Sequence, residues 1–411
     1  MPRRYKIQSL DTLPAIAQRF YGDARKWPVI ERASSFRSGR GQLIYEGEIA
    51  VIPDLPGSVT GDYPLSEDVD ENEITLVVNG QTFRGWQGVT IEQNEDSVAD
   101  GFALDAPFDP AIKSLREGFR PFGYQFAQLY IGRDLLLRGT IEQISPSIAA
   151  SGRLISVGGR SVTGAMVECS VEGSGAEFAG HKLRTICEWV AGLFGVEVQD
   201  DTEDTGDIAE TRPEPGQSAF DFLNSLAKGK GRLLTSDSRG VLTISMPSDQ
   251  AEPVASLVEG EWPLLGVAAE YDGTKRFSRY IVYLDQDGTP GVRGVAEDDG
   301  VKIYRPTRVD NPNTSATDAS RAAAWERTLS LVSATSVNVT AAGWRNADGA
   351  VWRKGEPVTL LAPSAMIYRE ATFRIAGVTM RIDEDQGRIT ELRLVLPEAY
   401  TASMPGAYPW D

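Results

Sequence analysis

From residue 74 to about 165 apolar and polar positions alternate with a period of two. ITLVVNGQTFRGW reads as a strand, an Asn79-Gly80 hairpin turn and a second strand. VTIEQNEDSVADGFALDA and YQFAQLYIGRDLLLRGTIEQISPSIAASGRLISVGGR continue as short strands, broken by Gly-Arg-Asp and Ala-Ser-Gly turns. Strands at this spacing predict a small β-barrel. The period then changes to that of a helix. In HKLRTICEWVAGLFG, Leu183, Ile186, Cys187, Val190 and Phe194 share one helical face and Gly195 supplies the stop. A second helix, SAFDFLNSLAKG, takes Ser218 as its N-cap with Asp221 three residues on. RLLTSDSRGVLTIS predicts a hairpin turning at Ser238-Arg239-Gly240. Beyond residue 255 strands return, with one helix over about 318–333, capped near Asp318, that places Ala322, Trp325 and Leu329 inward. SVNVTAAGW, an Asp348-Gly349 turn and a hairpin turning at Asp385-Gln386-Gly387 predict a second barrel.

The first 53 residues pattern differently. YKIQ is a short strand. Asp11 N-caps a helix with Leu13, Ile16, Ala17 and Phe20 on one face, and Tyr21-Gly22-Asp23 ends it. Trp27, Ile30 and Ala33 mark a second helix, with Pro28 tolerated in its first turn. LIYEGEIAVIP closes the unit as a turn and a strand, giving βααβ. Residues 54–73, rich in Pro, Gly, Ser and acid, read as a linker, and their acidic run lacks the spacing and glycine of a calcium loop. The expected fold class is α+β, mostly β: a small βααβ domain, then two β-barrel-like domains flanking a mixed α/β region. The expected boundaries are 1–53, 54–73, 74–165, 166–255 and 256–402, with a tail at 403–411.

The 411-residue chain has ample core-forming sequence, and no apolar run approaches the ~18 residues of a membrane span. MPRRYKIQSL carries two arginines but no apolar stretch, so no secretory signal is expected. Two cysteines, Cys169 and Cys187, are too few for a disulfide framework, which points to a reducing cytoplasm as the place of synthesis. A single histidine, His181, excludes HExxH zinc sites and His-rich metal centres. It precedes a helix and reads as a capping or surface residue. The Lys228-Gly229-Lys230-Gly231 stretch follows a helix and lacks phosphate-loop spacing, so it reads as a helix end. Carboxylate-only chemistry stays open because Asp and Glu are abundant, but no pattern points to it. No enzyme and no cofactor are expected.

Net charge is −17 and uneven: residues 1–53 hold nine Lys/Arg against five Asp/Glu, a net +4, which leaves −21 on the other 358 residues. An acidic body argues against a nucleic-acid-binding groove and suits a wall past which a polyanion slides.

Asp11-Thr12-Leu13, Ile16-Ala17, Phe20-Tyr21-Gly22, Trp27, Ile30, Glu46-Gly47 and Ile49 to Pro53 resemble a LysM domain over the whole N-terminal unit. Leu10 stands where that family usually has Gly, and Ser34-Ser35 where it often has Asn. The resemblance implies docking positions, for a partner or for N-acetylglucosamine-containing glycan, at Asp11, Thr12, Leu13, Tyr21, Gly22, Ser34, Ile44 and Tyr45. Leu13, Ile16, Phe20 and Trp27 are equally the natural core of such a fold. Over residues 72–402, ITLVVNGQTFRGWQGVTIEQ, EPGQSAFDFLNSLAKGKGRLLTSDSRGVLTIS and RAAAWERTLSLVSATSVNVTAAGWRNADGAVWRKGEPVTLLAP resemble the baseplate hub proteins of contractile-tailed phages, in particular the Mu-like tail protein P family. The resemblance implies a virion tail protein: a homotrimer whose two barrels per chain present pseudo-sixfold order. Such a ring joins a hexameric tail tube, through tube or tube-initiator proteins, to a trimeric spike protein, and leaves a channel for DNA. Other baseplate proteins and peptidoglycan are further implied partners. The alternatives are the hub of a non-phage contractile injection system, a peptidoglycan-binding LysM protein and, weakest, a murein hydrolase.

Overall fold

The computed structural model describes residues 3–8, 12–21, 26–34, 44–45, 47–53, 69–150, 152–171, 177–202, 206–208, 210–246, 251–286, 289–310, 319–383, 385–400 and 408–411. The N-terminal unit has β1 (Arg3–Lys6), α1 (Leu13–Tyr21), α2 (Trp27–Ala33) and β2 (Ile49–Ile52), in the βααβ order expected. β1 and β2 pair antiparallel, from Arg3 opposite Ile52 to Lys6 opposite Ile49. The α1 stripe does what its spacing requires: Leu13, Ile16 and Ala17 are fully buried against Ile30, Ala50 and Ile52. Phe20 adds an edge-on contact with Tyr5, 5.3 Å between centroids. The expected cap Asp11, the Gly22-Asp23 break and most of the linker lie outside the described residues.

The next run comprises β3 (Ile74–Val78), β4 (Gln81–Phe83), β5 (Gly88–Asn94), β6 (Gly101–Pro107), α3 (Lys113–Gly118), β7 (Phe126–Ile131), β8 (Asp134–Ala149) and β9 (Gly152–Ser161). The β3–β4 turn is the Asn79-Gly80 hairpin, with both residues at positive φ (49° and 80°), the backbone this dipeptide is chosen for. The last part of the chain contributes β15 (Ser256–Val258), β16 (Leu264–Tyr271), β20 (Thr335–Ala342), β21 (Pro357–Ala362), β22 (Ile367–Asp383) and β23 (Gly387–Val395).

These two runs do not make two closed barrels. They form one 13-stranded sheet, ordered β16-β20-β23-β22-β5-β6-β9-β8-β7-β3-β4, with β21 added on β22 and β15 on β21. The seam is the antiparallel pairing of β22 with β5, from Gly377 opposite Asn94 to Arg381 opposite Thr90. At 17 residues, β22 is long enough to serve β21 with its first half and β5 with its second. Its register shifts between Ile375 and Gly377, where a Cβ on Gly377 would fall 2.9 Å from Asn94 Oδ1. The core follows the sheet: Leu76, Leu104, Leu129 and Val157 belong to the same buried cluster as Val339, Trp344, Trp352, Phe373 and Leu392.

The middle region holds α4 (Ala165–Glu168), β10 (His181–Lys182), α5 (Leu183–Leu193), β11 (Val198–Asp200), β12 (Asp207–Ile208), α6 (Ala219–Gly229), β13 (Leu233–Ser236) and β14 (Leu242–Ser245). Leu183, Ile186, Cys187 and Val190 are buried as the α5 stripe predicts, while Phe194 is half-buried just beyond the helix. Ser218 Oγ accepts the Asp221 N–H at 3.0 Å, the expected cap of α6. Both helices share a core with Leu234, Leu242 and Ile244 of the β11-β14-β13 sheet. Burial pushes the Cys187 thiol up, out of reach of ordinary reactivity. His181 is exposed, edge-on to Phe178.

A further unit was not separated by the sequence pattern. β17 (Arg279–Gln286), β18 (Thr289–Glu297) and β19 (Pro306–Asp310) form their own sheet, with β17 central and parallel to β19. The helix expected at 318–333 is α7 (Ala319–Ser333), but its inward set differs. Ala319, Ala323, Thr328 and Leu331 are buried, whereas Ala322, Trp325 and Leu329 are half-buried. The reason is that α7 is covered on more than one side. Ala323 packs with Val282 and Ala296 of the small sheet, while Trp325 and Val332 lie against Leu233, Ala376 and Val395. No helix among the described residues is long and apolar enough to cross a membrane.

Candidate docking surfaces

The N-terminal candidates separate by burial. Leu13 is fully buried, so its side chain serves the core and presents nothing to a ligand. Ser34 is half-buried and committed: its Oγ accepts the Val51 N–H at 2.8 Å and donates to Ile30 O at 2.5 Å, stapling the end of α2 to β2. Ile44 is half-buried against the same small core as Leu13. Thr12 is exposed, and Tyr45 is 56% exposed with its N–H held by Glu48 Oε2 at 2.9 Å. Ile49, 50% exposed, is on the same strap-and-strand segment as Tyr45. Asp11 and Gly22 lie outside the described residues, as does the side chain of Tyr21.

A buried electrostatic cluster sits where the two sheet halves meet the middle region. Lys354 Nζ lies 2.7 and 2.8 Å from the two carboxylate oxygens of Asp100 and 3.2 Å from Asn94 O. The side chains are 10% and 2% exposed, so this pair is inside the protein. Beside it Arg374 Nε donates to both carboxylate oxygens of Glu95, at 2.8 and 2.9 Å. Val98 O accepts from Ser161, Thr163 and Ser236, which ties the β5–β6 loop to β9, the following turn and β13. Burial raises the Asp100 carboxyl above its ordinary value, against the lowering pull of Lys354. The cluster brings together residues 95–100, 236–237 and 354–374, and so locks three regions of the chain in one geometry. Nothing in the local sequence marks these charges. Their partners are more than 250 positions apart, and no local period marks them.

The outer surface carries a second feature. The α3–β7 connection exposes Phe122 (89%) and Tyr124 (65%), both with left-handed backbone, φ 56° and 44°. Beneath them Phe119 is buried against Phe83, 4.7 Å between centroids, which anchors the loop from below. Aromatic side chains in this backbone region are strained by about 1–2 kcal/mol. Glycine relieves that strain, so Phe122→Gly is expected to cost no folding stability and to gain up to about 1 kcal/mol, seen as a raised denaturation midpoint. A clear loss instead would show that the exposed ring supports the fold. The arrangement can bind surfaces.

Three family profiles match in chain order. Residues 73–161 match the N-terminal domain described as Mu phage baseplate assembly protein GpP-like. Residues 163–246 match the second domain of the baseplate hub protein gp44-like family, and 314–403 the fourth domain of Mu phage baseplate assembly protein GpP. The chain is 27% identical to the baseplate hub protein gp44 of Escherichia phage Mu over 345 residues, 80% of this chain and 89% of that one. It superposes on the 43 kDa tail protein of prophage MuSo2 from Shewanella oneidensis with a TM-score of 0.69 at 25% identity, covering 80% of this chain and 99% of that one. The tail protein from Neisseria meningitidis has the same fold, with a TM-score of 0.70 at 19% identity over 80% and 98% of the two chains. The buried ion pairs join residues of the first and last matched spans, Asp100 and Glu95 in one and Lys354 and Arg374 in the other. The chain belongs to the Mu-like family of phage baseplate hub proteins, structural components of the virion tail.

Proposed function

We propose that the chain assembles as a homotrimeric ring in the baseplate, in which each copy presents its two sheet halves to give pseudo-sixfold order. The ring joins a tube of sixfold symmetry to a spike of threefold symmetry and leaves a channel for DNA. The observation that carries this reading is the β5–β22 seam with its buried ion pairs. It makes the two halves of each chain a rigid pair, so that three chains supply six positions without independent motion. The −21 charge of residues 54–411 supports passage of DNA without adhesion. Light scattering of the purified chain across a concentration range tests it. Three chain masses are expected, and a monomer at all concentrations overturns the self-assembling ring.

The N-terminal unit is a docking module in this reading, with Thr12 and Tyr45 as its exposed candidates. Its +4 charge complements an acidic neighbour in the baseplate. Glycan binding is the second reading, favoured by the exposed Tyr45 ring, an aromatic face of the kind sugars stack on. Sedimentation with peptidoglycan decides between them: retention lost in Tyr45→Ala supports glycan, and no retention supports docking alone.

A further inference from the structure

Two exposed patches of this chain carry opposite charge and similar apolar character. The first is α3 together with its connection to β7. Residues 112–124 hold Lys113, Arg116 and Arg120 against Glu117, a net +2 on a strongly acidic body. The three basic side chains are exposed, and Phe122, Tyr124 and Ile112 stand out among them at 89%, 65% and 46% exposure. The second patch follows β15 and β16. Residues 256–272 hold Glu259, Glu261, Glu270 and Asp272 with no Lys or Arg, a net −4. Trp262 and Leu265 are 67% and 51% exposed there, and Tyr368 at the start of β22 adds 56%. Glu259 accepts the Ser364 N–H at 2.9 Å, and Tyr271 donates to Ala365 O at 2.9 Å, so the β22 entry and the β15–β16 strip are one surface.

The patches sit toward the two ends of the strand order: Phe119 of the first packs on Phe83 of β4, and the second lies along β16. Both stay exposed within one chain, so neither satisfies the other in cis. Phe122 and Tyr124 combine left-handed backbone with exposed aromatic rings, a strained surface feature of the kind that clusters at binding sites. Resting on the ring reading above, we propose that the basic aromatic loop 112–124 of one copy docks on the acidic aromatic strip 256–272 of the next. A contact between two different patches is heterologous, which closes into a ring when its rotation permits. Charge complementarity sets the direction around the ring and disfavours loop-to-loop or strip-to-strip pairing.

Charge exchange on the full chain tests this. Arg116→Glu with Arg120→Glu reverses the loop, and Glu261→Arg with Glu270→Arg reverses the strip. All four positions are exposed, and a thermal melt matching wild type confirms the fold of each variant. Each reversal is expected to weaken self-association by about tenfold or more in sedimentation velocity. The chain carrying both reversals restores complementary charge and is expected to regain most of the wild-type mass. Variants that keep the wild-type mass, or a combined variant no better than its parents, overturn the pairing while a wild-type trimer leaves the ring reading standing. A wild-type chain that is monomeric throughout overturns the ring and this pairing with it.

Discussion

Replacing Lys354 with methionine is expected to cost about 3–5 kcal/mol of folding stability at pH 7, read as a lowered urea midpoint. The loss comes from Asp100, not from the missing amine. Without Lys354 the carboxylate keeps the Asn94 N–H, at 3.3 Å, but no opposite charge among the partners described above, and it remains 2% exposed. Burial already raises Asp100, and the lysine is what opposes it, so the variant raises it further. The sign of the pH dependence follows. A carboxyl whose folded pKa lies above the unfolded value near 3.8 holds its proton more tightly when folded. The destabilisation is therefore full above the folded pKa and shrinks as pH falls toward the unfolded value. Lys354→Met is expected to recover part of its loss, relative to wild type, as pH falls from 7 toward the unfolded value near 3.8. A deficit that stays constant down to that value would show that Asp100 is not the source. Pairing Lys354→Met with Asp100→Leu removes both charges and is expected to lie much closer to wild type than either alone.

The second large effect concerns the shared core. Trp352 is fully buried, and Trp352→Ala is expected to cost about 3–5 kcal/mol. More informative is where the loss appears. Trp352 lies in one contiguous cluster with residues of both sheet halves, so the two should unfold together. In hydrogen exchange, the slowest amides of β7–β9 should lose protection as much as those of β20–β23. A loss confined to the second half would mean that the seam joins two independently stable units.

Much of the local structure is legible along the chain because it is set by near neighbours. The α1 stripe at Leu13, Ile16 and Ala17, the Ser218 cap and the Asn79-Gly80 turn each depend on residues within a few positions. The α7 stripe misleads because a helix covered on several sides has no single period to read. At the N-terminal unit the motif carries Leu13 and Ser34 along with Tyr45, and only burial separates core and staple from surface.

Composition and periodicity by themselves determined a mostly β chain with two helices in its middle and a basic βααβ unit before an acidic body, while the resemblance to tail hubs rests on particular sequence stretches. Tertiary structure decided the rest. It turned two expected barrels into one sheet, because a strand's second partner is chosen by long-range register that alternation does not encode. It separated β17–β19 and α7 as a unit, and it brought Asp100 to Lys354 and Glu95 to Arg374 across more than 250 residues. Charges that lie far apart in the sequence become partners only where folding removes the water between them.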